Sequence, residues 1–439
     1  MEHGQDRHLH KGQDGRRVGG CTRTGSLESI DYFMRPAVRC RAPSRCPAQP
    51  RSRERTVTLI SQTRPLVPTP ELGWTDPARE QAFLTWLGRI APQRQLDPAS
   101  LRIASADASF RRYLRIDQDA DLCFPTPALS FIVMDAPPSH EDCRPFVQVA
   151  SLLGAAGVHA PAVLEWDEAN GFMLLDDLGH RTYLSVLQGL DLASPAGFRM
   201  ADTLYRDALA SLVKLQAVAA EGQVPAYDRA LLKRELDLFP EWYISRHCGV
   251  TLTDQQQAQL DKCFELILRN CEHQPAVLVH RDFHSRNLML GTRAGADTAP
   301  GAGRGANPGV LDFQDAVWGP VSYDLVSLLR DAYIEWTEEQ QIDWAARYWQ
   351  QAKKAGVPVP DDFGDFWRDF EWMGLQRHLK VLGIFARLNH RDGKTAYLND
   401  LPLVWRNAHH VAMRYSGLGP LARILEQLAG VKAEDGYTF

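Results

Sequence analysis

Three oxygen-bearing side chains stand at spacings that suit phosphoryl transfer. Residues 280–287, His-Arg-Asp-Phe-His-Ser-Arg-Asn, lie between two short apolar runs, which predicts a tight polar loop between buried strands. Within it, Asp282 can accept the proton of an attacking hydroxyl, and Asn287 offers a carbonyl oxygen to a divalent ion. A later apolar run ends in Asp312, whose carboxylate is the hard ligand that Mg²⁺ prefers. Each residue alone also suits a polar turn, but the ordered set indicates a catalytic site.

The spacing H-x-D-x-x-x-x-N, followed by a strand that ends in Asp-Phe, resembles the catalytic half of the protein-kinase-like fold. At these residues the chain is similar to the aminoglycoside phosphotransferase family of small-molecule kinases. The likeness extends to the segments 132–138, 318–331 and 376–385 and covers about residues 70–439. These longer matches resemble one branch of that family, the anomeric cell-wall amino-sugar kinases.

The resemblance implies a fold and an activity. The expected fold is α+β and bilobal, with a small β-sheet N-lobe that carries one regulatory helix and a mainly helical C-lobe. The expected reaction transfers phosphate from ATP, with Mg²⁺, to the 1-hydroxyl of N-acetylmuramate and/or N-acetylglucosamine in peptidoglycan recycling. Asp282 is then the catalytic base, while Asn287 and Asp312 hold the metal.

Composition divides the chain into a tail and two lobes. Residues 1–64 carry 13 Lys and Arg against 6 Asp and Glu and lack apolar periodicity, so residues 1–70 are predicted to be a disordered basic tail. A nucleic-acid-binding arm is the functional alternative for this tail. We expect a nucleotide-binding N-lobe over 71–177 and a catalytic and substrate-binding C-lobe over 178–439.

Overall composition is that of an ordinary globular protein, with 44% hydrophobic and 23% charged residues. The net charge of −5 conceals an acidic body behind the basic tail, which argues against a general nucleic-acid binder. The eight cysteines are scattered without a C-x-x-C pair, which favours reduced thiols in the cytoplasm. We find no apolar run long enough for a membrane span and no secretory signal, so no membrane partner is expected. The acidic body means that no nucleic-acid partner is expected either.

Helical periodicity dominates the second half. Apolar stripes at residues 198–218, 228–246 and 253–272 predict helices that pack into a core. The Gly- and Ala-rich stretch 291–309 is predicted to be a loop insertion at the tip of a hairpin, without chemistry.

The turn before the second predicted strand is the expected phosphate-binding segment. It contains no glycine, so backbone N–H groups, Ser109 and either Arg111 or Arg112 must bind the phosphates. The strand 131–135 also lacks the lysine that kinases place there, and Arg111, Arg112 and Arg144 are the candidate replacements. A plain turn with solvated arginines remains the simpler interpretation.

Two acidic segments flank this lobe. Glu141 or Asp142 precedes a predicted helix, and we assign them to its N-terminus rather than to pairing with a surrogate cation. The predicted hinge between the lobes is 176–179, where adenine would bond to the backbone of Asp176 and Leu178.

Candidate substrate-binding residues are basic. On a helix, four cations form one stripe: Arg377, Lys380, Arg387 and Arg391. Such a stripe suits a substrate carboxylate, such as the lactyl group of N-acetylmuramate. A solvated stripe, or pairing with Asp365 and Asp369, is the simpler interpretation.

Three residues near the metal motif have more than one possible role. His284 and Arg286 face either phosphate or a substrate carboxylate, and Asp315 is a further candidate for metal or substrate contact.

Two other functions compete with this interpretation. A kinase for a cationic metabolite, such as an aminoglycoside or choline, needs acidic or aromatic residues around its substrate. The C-terminal region offers Asp361, Asp362, Asp365, Trp367 and Trp372. A non-catalytic nucleotide-binding module is the third possibility, because the N-lobe lysine is absent.

Overall fold

The computed structural model describes the following residues of the 439-residue chain: 72–105, 110–123, 128–291 and 305–430. All of them lie within one compact unit that begins at Arg64. The predicted tail, Ser109 and most of the predicted loop insertion lie outside the described residues.

The N-lobe is built on a five-stranded sheet. Its strands are β1 (Leu96–Ser105), β2 (Arg112–Gln118), β3 (Ser130–Asp135), β4 (Val163–Asp167) and β5 (Phe172–Asp176). They lie in the order β1-β2-β3-β5-β4, and every neighbouring pair is antiparallel. Three helices accompany them: α1 (Pro77–Arg94), α2 (Ala120–Cys123) and α3 (Arg144–Ala155).

The two faces of the sheet serve different cores, because successive side chains of a strand point to opposite sides. Val133 and Leu174 pack with α1 in a separate N-lobe core. Their neighbours Met134 and Leu175 join the main core, which includes α3 and the C-lobe. The second face therefore looks toward the C-lobe.

Helix α1 begins where the sequence predicts it. The Asp76 carboxylate accepts the backbone N–H of Ala78 at 2.9 Å, and Pro77 occupies the first turn. A side-chain cap of this kind satisfies an N–H group that lacks a partner within the helix.

The C-lobe is mainly helical. Its α-helices are α4 (Tyr183–Gln188), α5 (Pro195–Gln216), α6 (Arg229–Leu236), α7 (Asp254–His273), α8 (Tyr323–Leu329), α9 (Glu338–Ala355), α10 (Phe363–Asp392), α11 (Leu401–Arg414) and α12 (Gly419–Leu428). A π-helix (Phe239–His247) and two 3₁₀ helices (Thr395–Asp400 and Ser416–Leu418) complete it. None of the helices in the described ranges is long and apolar enough to cross a membrane.

Two small antiparallel ladders cross the C-lobe. β6 (Ala276–Val279) pairs with β9 (Val317–Pro320), and β7 (Leu288–Met289) pairs with β8 (Gly309–Val310). The polar loop therefore lies between two short buried strands, as predicted. The stripe predicted as one helix over 228–246 is instead divided into α6 and the π-helix, because Pro240 cannot donate the backbone hydrogen bond that a continuous α-helix needs.

Helix α10 crosses the centre of the C-lobe, and a glycine permits its closest contact. A Cβ added at Gly383 would overlap the backbone carbonyl and the side chain of Leu238. A Cβ added at Gly374, which lies earlier on the same helix, would meet its nearest neighbour, Val326 Cγ1, at an ordinary 3.5 Å.

We expect Gly383→Ala to lower the free energy of unfolding by about 1–3 kcal/mol, because the Leu238 backbone must move to admit the methyl group. Gly374→Ala is the matched control and should leave stability unchanged or raise it by up to about 1 kcal/mol, since alanine favours a helix. Urea unfolding of both variants measures the difference. Equal stability of the two would show that the α10 contact at Leu238 is not close.

Candidate active site

The 280–287 loop joins β6 to β7 and is fixed from helix α8. Fully buried Asp324 accepts the backbone N–H of His280 at 2.7 Å and that of Arg281 at 3.0 Å. Burial raises the pKa of the Asp324 carboxyl to about 7, although both N–H groups favour its ionised form. This one side chain therefore determines where the loop begins.

A second buried carboxylate fixes the far end of the loop. Asp331, just beyond α8, accepts the backbone N–H of Ser285 at 3.0 Å and also the Ser285 hydroxyl. Its other oxygen accepts the N–H of Tyr333 at 3.2 Å. The loop is thus held at both ends by aspartates seven residues apart on one segment.

His280 connects the loop to the strand that leads to Asp312. Its Nε2 lies 2.9 Å from the Leu311 carbonyl oxygen, and its Nδ1 accepts the backbone N–H of Asp282 at 3.2 Å. Burial lowers the pKa of His280 to about 4, so the ring is neutral near pH 7 and Nε2 carries the proton. His280 has a structural role in this arrangement, in agreement with its position inside the loop.

Asn287 brings the three predicted residues together. Its amide nitrogen donates to the backbone carbonyl of Asp282 at 3.0 Å and to the Asp312 carboxylate at 3.2 Å. The other Asp312 oxygen accepts from Gln314 at 2.9 Å. Asp282, Asn287 and Asp312 also line one cavity of about 730 Å³, which we call the cleft.

Two residues at this point have left-handed backbones that side chains rarely adopt. Arg281 has φ 78° and Asp312 has φ 65°. Each conformation costs about 1–3 kcal/mol, so the surrounding contacts must enforce it. The hydrogen bond that the Arg281 N–H donates to Asp324 and the one that the Asn287 amide donates to Asp312 are among those contacts.

Asp282 is kept ionised by its surroundings. Burial alone would raise the pKa of its carboxyl, but the charges of Lys380, His284 and Arg377 outweigh burial and hold the pKa below its ordinary value. An ionised carboxylate at the cleft can accept a proton from a bound hydroxyl.

Three of the predicted substrate-binding residues lie in the cleft. Arg377 is only 4% exposed, and its Nη1 has no hydrogen-bond partner among the described residues. The buried Nδ1 of His284 likewise lacks a partner within the described part of the chain. Arg286 lies over the Tyr333 ring at 3.7 Å. The cleft therefore presents a buried guanidinium nitrogen, Arg377 Nη1, that a bound anion can satisfy.

The predicted hinge forms the opposite side of the cleft. Asp176 and Leu178 both line it. Between them, Asp177 is bonded by Arg115 of β2, at 2.6 and 2.9 Å, and Arg115 also donates to the Gly179 carbonyl at 2.9 Å. Arg115 was not predicted as a site residue. It lines the cleft together with Tyr113, which lies two residues earlier and so on the same face of β2.

Comparison with known proteins places this site in a family. Residues 100–363 match the phosphotransferase enzyme family. The chain belongs to that family. The motif residues and the hinge all fall within the matched region, so the resemblance predicted from the sequence is confirmed.

Relatives of this phosphotransferase agree with the predicted branch. A Pseudomonas aeruginosa protein named N-acetylmuramate/N-acetylglucosamine kinase is 45% identical over 361 residues, covering 81% of this chain and 98% of the relative. A Neisseria meningitidis protein of the same name is 43% identical over 362 residues, covering 82% of this chain and 99% of the relative.

A solved structure supports the fold alone. The ethanolamine kinase of Plasmodium vivax superposes with a TM-score of 0.51 at 10% sequence identity, covering 75% of this chain and 87% of that protein. The α+β bilobal, protein-kinase-like fold predicted from the sequence is therefore confirmed.

The predicted N-lobe cations of the phosphotransferase separate to different places. Arg112 points to the α1 side of the sheet, where it donates to Asp135 at 2.9 Å and lies over Trp74, so it is not a cleft residue. Arg111 pairs with Glu141 at 2.9 Å. Neighbouring strand residues alternate in direction, which explains why the two arginines diverge.

The assignment of Glu141 to a helix terminus was wrong. Glu141 is the partner of Arg111, whereas Asp142 accepts the backbone N–H of Arg144 at 3.0 Å where α3 begins. The Arg144 side chain is 72% exposed and bonds the same aspartate, so it too lies away from the cleft.

The basic stripe on α10 enters the cleft only at its first half. Arg377 and Lys380 line the cleft together with four apolar residues of the same helix: Val381, Ile384, Phe385 and Leu388. Arg391 is exposed and pairs with Asp392 at 2.7 Å, beyond the cleft. Asp315 is also exposed and outside the cleft lining.

The acidic and aromatic residues suggested for a cationic substrate are elsewhere. Asp361 pairs with Lys353, Asp362 caps α10, and Asp365 pairs with Arg368. Neither Trp367 nor Trp372 is among the described residues that line the cleft. None of the five residues suggested for an amine substrate is therefore among the described residues that line the cleft.

We expect Asp324→Asn to change how stability depends on pH. Because the folded-state pKa of this carboxyl is raised to about 7, the wild-type protein binds its proton more tightly than the unfolded chain does. Its contribution to the free energy of unfolding is therefore fully present below about pH 4 and is lost as pH rises to about 7. Asparagine does not titrate and removes this decline.

Urea unfolding of wild type and Asp324→Asn between pH 4 and pH 8 measures that contribution as the difference between the two curves. A difference that does not vary with pH would contradict the raised pKa of Asp324.

Proposed function

We propose that this phosphotransferase transfers the γ-phosphoryl group of ATP to the 1-hydroxyl of a cell-wall amino sugar, N-acetylmuramate and/or N-acetylglucosamine, in peptidoglycan recycling. The observation that carries the proposal is the Asn287 amide, which bonds both the Asp282 backbone and the Asp312 side chain and so joins a base to a metal-type carboxylate. The printed names of the two relatives supply the substrate class.

Asp282 positions the acceptor hydroxyl and takes its proton as the bond to phosphorus forms. Its depressed pKa keeps it ionised at neutral pH, and its place in the cleft leaves it accessible to a sugar. Little covalent chemistry is required of the protein in phosphoryl transfer, so orientation and electrostatics supply most of the rate.

Asn287 and Asp312 are the residues that would hold Mg²⁺. The Asn287 amide nitrogen is occupied by Asp282 and Asp312, which leaves the amide oxygen as a ligand, and hard oxygen donors are what Mg²⁺ prefers. When bound, the ion neutralises charge on the phosphate oxygens. Asp312 has a strained, left-handed backbone. Such strain is common where a side chain must point in one direction for function, as a metal-binding carboxylate must.

The nucleotide would lie between the hinge and β2. We assign adenine binding to the backbone of Asp176 and Leu178, which line the cleft. Of the three candidate replacements for the N-lobe lysine, we keep Arg111, because Arg112 lies on the α1 side of the sheet and the Arg144 side chain is exposed. The pair of Arg111 with Glu141 has the same charges as the lysine–glutamate pair of kinases. Arg111 would then contact the phosphates, whereas Ser109, the other predicted phosphate ligand, lies outside the described residues.

The acceptor side is formed by His284, Arg286 and Arg377. We assign the lactyl carboxylate of N-acetylmuramate to Arg377, because its buried Nη1 lacks a hydrogen-bond partner in the described part of the structure. A guanidinium in this state gains a charge-assisted bond when a carboxylate binds. Arg391 and Asp315 lie outside the cleft, so we leave them out of the site.

Replacement of Asp282 by asparagine tests the base. Asp282→Asn should lower kcat by roughly 10²- to 10⁴-fold, because the amide cannot accept the hydroxyl proton. Nucleotide affinity and thermal unfolding should remain close to wild type, since the hydrogen bonds made by residue 282 in the loop come from its backbone. Coupled-assay kinetics and nucleotide titration measure the two effects, and turnover near the wild-type rate would remove Asp282 from this role.

Comparison of two sugars tests the acceptor assignment. In Arg377→Met, KM for N-acetylmuramate should rise roughly 10- to 100-fold, the effect of losing one hydrogen bond to a charged group. KM for N-acetylglucosamine, which has no carboxylate, should change by less than about threefold.

Arg391→Met is the matched control on the same helix and should leave both KM values unchanged, because that side chain is exposed. Equal losses on the two sugars in Arg377→Met would show that Arg377 does not recognise the carboxylate.

A further inference from the structure

The wall of the cleft on helix α10 changes from basic to apolar along the helix. Arg377 and Lys380 lie at its basic start. Four residues at helical spacing continue the wall: Val381, Ile384, Phe385 and Leu388. Beyond Lys380 the residues of α10 that line the cleft carry no charge, so this part of the wall suits an uncharged, partly apolar portion of a ligand.

Three aromatic rings from separate elements lie in this part of the cleft, and we call them the aromatic triplet. They are Tyr333, which follows α8, Phe385 of α10 and Tyr397 of the first 3₁₀ helix. The ring centroids of Phe385 and Tyr397 are 5.0 Å apart, and those of Tyr333 and Phe385 are 6.4 Å apart. Separations of this size are those of rings in contact.

The 280–287 loop contacts the aromatic triplet through Arg286. The guanidinium carbon lies 3.7 Å from the ring centroid of Tyr333 and 5.6 Å from that of Tyr397. A guanidinium nitrogen also lies 4.0 Å from a carboxylate oxygen of Asp400, the last residue of the 3₁₀ helix. Arg286 belongs to the same loop as Asp282, so the triplet adjoins the loop that carries the base.

Within the triplet, Tyr397 has ring surface that a ligand can reach. Phe385 is only 5% exposed, and Arg286 covers one face of Tyr333 at 3.7 Å. Tyr397 is half-buried, and its hydroxyl has no hydrogen-bond partner among the described residues. A tyrosine in this state offers an apolar ring together with a polar tip.

We propose that Tyr397 is a platform for the acceptor: its ring packs against a C–H face of the pyranose, and Phe385 and Arg286 hold that ring in position. The inference rests on the proposed function and adds which side chain binds the part that both amino sugars share. A pyranose has polar edges, where its hydroxyl groups lie, and apolar faces made of C–H groups. A sugar with one face on Tyr397 keeps its edges for Asp282 and Arg377, which line the same cleft.

The charge of Arg286 limits which acceptors can use the platform. Its guanidinium is a permanent positive charge beside the rings of Tyr333 and Tyr397. A polycationic acceptor would be repelled there and again by Arg377 and Lys380, which also line the cleft. A neutral or anionic sugar meets no such repulsion, so the platform fits both N-acetylglucosamine and N-acetylmuramate.

Replacement of Tyr397 by alanine tests the platform. Tyr397→Ala should raise KM roughly 10- to 50-fold for both sugars, because the apolar contact with the shared ring is lost. KM for ATP should change by less than about threefold. The equal effect on both sugars separates this residue from Arg377, whose loss should affect N-acetylmuramate alone. Sugar KM values within about threefold of wild type would overturn the inference.

Tyr397→Phe is the conservative variant, and it should keep both sugar KM values within about threefold of wild type because the ring is retained. Leu398→Ala is the matched control on the same 3₁₀ helix. Leu398 packs against the main core but is not among the described residues that line the cleft. Leu398→Ala should therefore leave both sugar KM values unchanged. A rise as large as that in Tyr397→Ala would show that the loss came from the helix and not from the ring.

A measurement on the wild-type protein decides the matter if Tyr397→Ala does not fold. With ADP and N-acetylglucosamine bound, saturation of the aromatic protons should transfer to the ring C–H protons of the sugar in an NMR saturation-transfer experiment. Protein that carries ring-deuterated tyrosine should transfer less. Equal transfer from the two proteins would overturn the platform.

Failure of the function and failure of the inference are distinguishable. If wild-type protein transfers phosphate to neither N-acetylmuramate nor N-acetylglucosamine, the proposed function is wrong. If the wild type is active on these sugars while Tyr397→Ala folds and keeps its sugar KM values, the proposed function stands and the platform is wrong.

Discussion

The site depends on backbone N–H groups that are held by buried carboxylates. Asp324 binds the first two N–H groups of the 280–287 loop, and Asp331 binds that of Ser285. Both aspartates belong to α8 or its immediate end, so one rigid segment determines the shape of the whole loop. Because a loop cannot satisfy its own N–H groups as a helix does, such external acceptors are what make its conformation unique.

The pKa values of two neighbouring carboxyl groups, Asp324 and Asp282, are shifted in opposite directions because their surroundings differ. Asp324 is fully buried, and burial raises its pKa to about 7 despite the two N–H groups and Arg377, which favour the ionised form. Burial also tends to raise the pKa of Asp282, but the cations on α10 have the larger effect and lower that pKa. Environments that shift the pKa values of two acids in opposite directions are typical of sites where one acid is structural and the other reacts.

Sequence spacing predicted that Asp282, Asn287 and Asp312 lie together, and the structure brings them to one cleft. Asp282 and Asn287 are five residues apart in one loop between two strands, so the local pattern alone places them together. Asp312 comes two residues after β8, the strand that pairs with β7 at the end of that loop. The fold class followed from the same motif together with the helical second half. Asp176 and Leu178 could be located because the strand pattern ends there.

Contacts between distant elements were not predictable from pattern. The partners of Arg112, Arg115 and Arg111 are acids on β3, the hinge and the segment before α3, and no spacing rule links them. The stripe on α10 was identified, but a 30-residue helix outruns the cleft, so Arg377 is inside and Arg391 is not. Glu235 gave no local signal, since its contacts with Arg281 and Lys380 come only from packing.

A crystal structure with Mn²⁺, a non-hydrolysable ATP analogue and N-acetylmuramate would test the central claim most directly. The account predicts an anomalous Mn²⁺ peak bound by the Asn287 amide oxygen and the Asp312 carboxylate, with the sugar 1-hydroxyl hydrogen-bonded to Asp282. A Mn²⁺ peak at another group, such as Glu338, Glu371 and His410, together with a sugar that does not reach Asp282, would contradict it.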